Sequence, residues 1–147
     1  MDSEEQMVAT GVAGPYAELT GSVIKAGIEV QKHLGPWLLE SAYAACLAYE
    51  LEQSGHTVER QVAVPIRYRD LVVPSAFRMD LLVDGILVVE LKVAEAITKE
   101  HEAQILSYLR FSGKPAGLLM NFALQPLAKR GVRRFLMTAH PSSASSV

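Results

Sequence analysis

The chain has 147 residues and a net charge of −2, which suits one domain and does not by itself advertise nucleic-acid binding. Half of it is hydrophobic, so a core can form without cross-links, and the single cysteine, Cys46, excludes an internal disulfide framework and a multi-cysteine zinc site. No apolar run approaches the ~20 residues of a membrane-crossing helix, and no basic segment followed by an apolar one opens the chain, so a reducing, cytoplasmic setting is expected.

Residues 1–14 mix acids with small residues and are expected to form a flexible N-terminal arm. From Thr20, a candidate N-cap, apolar positions recur at steps of three and four through Val23, Ile24, Gly27 and Ile28, which predicts a helix that Gly35-Pro36 stops. A second helix is predicted from about Leu38 to Ser54, closed by Gly55. Cys46 lies in its apolar run Tyr43-Ala44-Ala45-Cys46-Leu47, where a small buried hydrophobe is expected. The period then drops toward two. Thr57 to Tyr68 reads as a strand or strand pair around Pro65, and Phe77 to Val83 and Ile86 to Val93 as two strands joined at Asp84-Gly85. Thr98 looks like the N-cap of a third helix running to about Phe111 and ended by Gly113. Ala116 to Phe122 is nearly unbroken apolar sequence, the mark of a strand buried on both faces, often in parallel pairing. Arg133 to Thr138 suits a short strand or helix, and 139–147 are expected to form a disordered tail. The whole predicts one α/β domain over 15–138, a mixed β-sheet with a central antiparallel hairpin flanked by helices.

Charge divides along the chain. Residues 1–60 carry 3 basic and 9 acidic side chains, residues 61–147 carry 11 and 7. Lys129, Arg130, Arg133 and Arg134 cluster, and such a group either holds phosphates or makes an ordinary solvated surface.

The chemistry-bearing residues sit in the predicted hairpin. Glu90 and Lys92 interrupt an apolar run, and residues i and i+2 of a strand share a face, so a carboxylate and an ammonium lie side by side while Leu91 points into the core. Asp80 interrupts the preceding strand. A strict two-residue turn at Asp84-Gly85 sets Asp80 opposite Val89 and on the other face from Glu90; a three-residue loop or one bulge sets it opposite Glu90. In the second case two carboxylates and a lysine converge. Such carboxylates can bind Mg²⁺ for phosphodiester hydrolysis, and the lysine can stabilise charge on phosphorus. The alternative is a plain ion pair at a sheet edge. On the third helix His101, Gln104 and Tyr108 share one face, either lining a phosphate or base site or facing solvent. Glu40 opens the second helix, where an acid is also favoured by the helix dipole alone.

These residues resemble the GxxExxY family of the PD-(D/E)XK nuclease superfamily from about Thr20 to Val132. The resemblance rests on His33-Leu34-Gly35-Pro36, Leu38-Leu39-Glu40-Ser41-Ala42-Tyr43, Arg78-Met79-Asp80-Leu81-Leu82-Val83, Glu90-Leu91-Lys92, His101-Glu102-Ala103-Gln104 and Gly117-Leu118-Leu119-Met120-Asn121-Phe122. It implies a PD-(D/E)XK (restriction-endonuclease-like) core and a nuclease that uses Mg²⁺ or Mn²⁺. Asp80, Glu90 and the backbone carbonyl of Leu91 would be metal ligands, with Glu40 an additional acid from the early helix. Lys92 would be the catalytic lysine and Gln104 a further catalytic polar group. His101, Tyr108 and the basic cluster are the expected contacts to DNA or RNA. One departure is plain: the glycine expected three residues before Glu40 is Trp37. A non-catalytic module of the same fold, binding nucleic acid or a partner protein, is the alternative, and a homodimer or partner protein is an expected aid to so small a chain.

Overall fold

The computed structural model describes residues 7–9 and 14–137. Six strands form one mixed sheet in the order β1-β6-β5-β4-β3-β2, where β1 is Met7–Ala9, β2 Val58–Tyr68, β3 Leu71–Val83, β4 Leu87–Lys92, β5 Ala116–Asn121 and β6 Val132–Leu136. The helices are α1 (Ala17–Leu34), α2 (Glu40–Gln53), α3 (Lys99–Ser112) and the single turn α4 (Leu127–Arg130). Only β4 and β5 pair in parallel among the described residues, across the crossover that contains α3, and every residue of β5 is buried. The remaining pairs are antiparallel. No helix of the described residues is long and apolar enough to cross a membrane.

Two cores separate across the sheet. Val23, Val30, Tyr43, Leu47 and Leu51 of α1 and α2 pack on Leu81, Val83, Leu87, Val89, Leu91, Leu118 and Met120. On the other face, Ile105, Tyr108 and Leu109 of α3 pack on Leu82, Val88, Leu119, Phe135, Met79 and Val64. Alternation along β4 therefore sends Val89 and Leu91 toward α1 and α2, and Val88 toward α3. Gly117 brings α3 close: a Cβ there would meet Ile105 Cδ1 at 3.0 Å and Leu109 Cδ1 at 3.2 Å.

The structure differs from the sequence expectations at several ends. Met7–Ala9, read as part of a loose arm, forms a strand beside β6 because that edge offers unpaired backbone groups to any extended segment. The rest of the arm and residues 138–147 lie outside the described residues. Thr20 does not cap α1. The helix begins at Ala17, and the Thr20 hydroxyl donates back to the Tyr16 carbonyl four residues earlier, as hydroxyls inside helices do. The third strand is longer than expected, starting at Leu71, since Pro74 and Ser75 mask its first half in sequence. The loop between β3 and β4 holds three residues, with Val83 paired to Leu87.

The tip of that loop is tied to the turn after α2 and, through it, to α1. Asp84 Oδ2 lies 2.8 Å from His56 Nδ1, and His56 Nε2 lies 3.0 Å from Ser22 Oγ. The His56 hydrogen bond, first among several causes, holds the Asp84 carboxyl below its ordinary value. Ser22 lies inside α1, where neighbouring N–H groups are committed to helical hydrogen bonds and supply no oxyanion hole. The relay is therefore a fastening between α1, the turn after α2 and the hairpin.

Candidate active site

The site begins where three strands loosen. Pairing of β3 with β4 covers Val83–Leu87, Leu82–Val88 and Leu81–Val89, then stops; the same register sets Asp80 opposite Glu90. Pairing of β2 with β3 also skips one position, Gln61 opposite Asp80, between Arg60–Leu81 and Val62–Met79. Gln61 has φ 52°, a left-handed conformation uncommon for a non-glycine residue. Its effect is visible in the packing. Val58 belongs to the core under α1 and α2, whereas Val62 and Val64, of the same parity, belong to the core under α3. On β3, Leu81 and Val83 face one core, Met79 and Phe77 the other. Both strands change face at the level of Asp80, and the backbone hydrogen bonds of a regular sheet are missing there.

Side chains replace them. Glu90 Oε2 accepts from the Asp80 N–H at 2.7 Å, and Asp80 Oδ2 accepts from the Leu91 N–H at 2.8 Å. Two carboxylates thus interlock across the gap between β3 and β4. N–H and C=O of one strand residue point to the same side, so the Leu91 carbonyl also faces this gap. Glu90 is 3% exposed. Burial first, and then the neighbouring Asp80 charge, push its carboxyl up to about 8, while Lys92 pulls the other way. Among the described residues no ion pair joins Lys92 to either carboxylate, so the plain ion-pair alternative is not what the structure shows.

The face of α3 looks onto the same place. The Tyr108 phenol is pushed up to about 12 by burial, then by Glu90 and Asp80. The His101 imidazole is lowered by burial and by Lys92, with Glu100 and Glu40 opposing. One end of the stripe therefore senses the carboxylate pair and the other the lysine. Gln104, half-buried, lies between them on the same helical face. His101 also serves the helix itself: Thr98 Oγ accepts from the His101 N–H and His101 Nδ1 accepts from the Thr98 N–H, each at 3.1 Å. A neutral ring that accepts at Nδ1 carries its proton on Nε2.

Other expected residues are placed differently. Tyr108 is buried, with its ring edge-on to Phe77 at 5.0 Å, so it offers no open face for a base. Glu40 is exposed at the first turn of α2, and no group of three or more His, Cys, Asp or Glu among the described residues gathers as a metal cage. Glu40 is near enough to act on His101 but is not joined with Asp80 and Glu90 into such a group. The basic cluster does not make one patch. Lys129 and Arg130 are exposed on α4, with Arg130 Nη1 donating to the Gln125 carbonyl. Arg133 and Arg134 are consecutive in β6 and so leave on opposite faces. Arg133 pairs with Glu102 of α3 at 3.5 Å.

A family model for the PD-(D/E)XK nuclease superfamily matches residues 17–135. The chain belongs to the PD-(D/E)XK nuclease superfamily. Searches of curated proteins and of solved structures returned no match. Proteins of this superfamily generally use divalent metal ions. The donor set here fits such an ion: two adjacent carboxylates, one pushed well above its ordinary pKa by burial and then by the charge of the other, suit a hard cation that keeps several waters.

The departure at Trp37 has a backbone meaning. Trp37 has φ 71° and is exposed. This is the conformation a glycine takes without cost, and it turns the chain from Gly35-Pro36 into α2. Tyr43 secures the turn: its hydroxyl donates to the Gly35 carbonyl and accepts from the Leu38 N–H at 3.1 Å, with its ring stacked on Phe122 at 4.5 Å. Trp37→Gly should therefore stabilise the protein by about 1 kcal/mol, the relief of left-handed strain exceeding the added chain entropy. Thermal unfolding measures this; an unchanged or lower midpoint would mean that the indole makes compensating interactions.

Two residues of the site region escape sequence reasoning. Asn121 is fully buried beside Lys92 in the sheet, and Gln61 provides the face change. The signal for Asn121 is a polar residue closing an unbroken apolar run. Nothing marks Gln61.

Proposed function

We propose that the chain is a metal-dependent nuclease, hydrolysing nucleic-acid phosphodiesters at Asp80, Glu90 and Lys92, and that it falls in the GxxExxY branch of the superfamily. The observation that carries this reading is the interlocked Asp80–Glu90 pair, two carboxylates held together in a low-dielectric gap beside a lysine on the same strand face. A merely structural pair would not keep so costly an arrangement. Asp80, Glu90 and the Leu91 carbonyl would hold Mg²⁺ or Mn²⁺. When bound, the ion polarises the phosphate and lowers the pKa of its water. Lys92 supplies positive charge where the phosphoryl oxygens gain negative charge. Gln104 can donate an amide hydrogen bond without competing for the cation, and His101 can donate from Nε2 to a phosphate oxygen. Tyr108 stays protonated at any working pH, so it acts as a hydrogen-bond donor and not as a base.

Incubation with DNA and RNA, single- and double-stranded, in Mg²⁺, Mn²⁺ or EDTA tests the reading. Cleavage should require the metal and disappear in Lys92→Ala. Binding without cleavage under every condition would select instead the non-catalytic module.

A further inference from the structure

The hairpin of β2 and β3 extends well past its neighbour. β3 is joined to β4 only through Leu81–Val83, so among the described residues Leu71–Met79 has β2 on one side and no strand on the other. α3 covers the base of this ribbon through Val62, Val64, Phe77 and Met79. Beyond that, Tyr68, Leu71, Val72 and Val73 are exposed, and Arg69 turns the chain with φ 54°. An exposed apolar ribbon with free edges invites self-association, and such edges in soluble proteins carry charge or proline. This one carries both, and beyond Glu59 its charge is mainly positive. Residues 60–78 hold Arg60, Arg67, Arg69 and Arg78, all exposed, against the single acid Asp70, a local charge of +3 in a chain whose total is −2. The Arg69 guanidinium lies over the Tyr68 ring, 5.3 Å from its centre.

The ribbon is continuous with the candidate active site. β2 covers the stretch from the tip to the level of Asp80 with the segment Tyr68 to Gln61, shorter than the Leu71 to Asp80 segment of β3, because a bulge breaks their register between Val64 and Ile66. At ~3.3 Å per residue along β2 the arm is roughly 23 Å long, about two-thirds of a turn of B-form DNA. A two-stranded ribbon fits the major groove of B-DNA, and the deep, narrow groove of an A-form duplex does not admit it. Arginine suits guanine edges and phosphates there, and exposed Leu and Val suit thymine methyl groups. We infer that the β2–β3 ribbon is a docking arm for double-stranded DNA, lying in the major groove with Arg67 and Arg69 at its tip and delivering the flanking backbone to Asp80 and Glu90. The delivery step rests on the nuclease reading above; the docking does not.

The test is fluorescence anisotropy of the full chain with a labelled 30-base-pair DNA duplex in EDTA, at several salt concentrations. The double variant R67Q/R69Q removes two charges from an exposed turn. It should bind at least about tenfold more weakly, and the slope of log K against log salt should fall by about 1.8, close to 0.9 for each phosphate no longer neutralised by an arginine. Circular dichroism should show the variant folded. An unchanged slope, or tighter binding of the wild type to single strands or duplex RNA than to duplex DNA, would overturn the inference. Cleavage in Mg²⁺ is read separately. Loss of binding in R67Q/R69Q from a wild type that cuts nothing leaves the arm standing and removes the nuclease. Wild-type cleavage with R67Q/R69Q binding unchanged does the reverse.

Discussion

Glu90→Gln should stabilise the metal-free protein at pH 8 by a few kcal/mol and abolish cleavage at the same time. Glu90 is held at about 8 in the folded protein against 4.5 when unfolded, chiefly by burial and then by Asp80. The folded state therefore binds more protons than the unfolded chain between these values. Stability contributed by the protonated carboxyl is complete below pH 4.5 and is lost as pH rises toward 8, at a limiting ~1.4 kcal/mol per pH unit for one such group. Glutamine keeps an acceptor for the Asp80 N–H and carries no charge at any pH, so urea unfolding of the variant should show this loss removed. Mg²⁺ should raise the wild-type melting temperature more at pH 8 than at pH 5, because the cation favours the charged pair that is otherwise strained. A variant that is less stable than wild type at pH 8 in EDTA would mean that Glu90 is a structural acceptor whose charge costs the fold little.

The hairpin register illustrates how far the sequence reached. Both turn lengths are compatible with Asp84-Gly85, and only the three-residue loop aligns Asp80 with Glu90; that choice depends on tertiary context. Glu90 and Lys92 stand out because charges interrupt an apolar run, a local signal. The parallel pairing of Ala116–Asn121 is legible for the same reason, since a strand buried on both faces carries no alternation. What escaped is what depends on the third dimension. Gln61 looks like any exposed strand residue, yet its left-handed backbone turns two strands over. Tyr108 shares a helical stripe with His101, but the stripe descends from the helix start into the core. The dispersal of the basic cluster was open to inspection once Arg133 and Arg134 were placed on a strand, because adjacent strand residues cannot share a face. The ribbon's arginines are spread over residues 60–78 and share one element only once the hairpin forms, with Arg67 and Arg69 at its tip and Arg60 and Arg78 toward its base.

Asn121→Leu should cost about 3–5 kcal/mol and displace Lys92 through the backbone that follows it. Asn121 pairs with Lys92 across β4 and β5 and is fully buried. Its Nδ2 donates to the Ala94 carbonyl at 2.9 Å, and its Oδ1 accepts from the Ala94 and Ala123 N–H groups, each at 3.1 Å. These bonds fix the chain just after Lys92 as it leaves the sheet, and the Phe122 N–H adds a hydrogen bond to the Lys92 carbonyl at 2.9 Å. Leucine fills similar volume and satisfies none of the three backbone groups, each worth roughly 1–3 kcal/mol when left unpaired in the interior. Asn121→Asp keeps acceptors for both N–H groups but sets an oxygen against the Ala94 carbonyl and buries a charge, so it should not rescue. Because Asn121 acts through Lys92, the positioning role has its own readout. In whatever fraction remains folded, kcat should fall while DNA binding in EDTA is retained. Equal loss of both would make Asn121 a residue of the fold alone, with no separate part in holding Lys92.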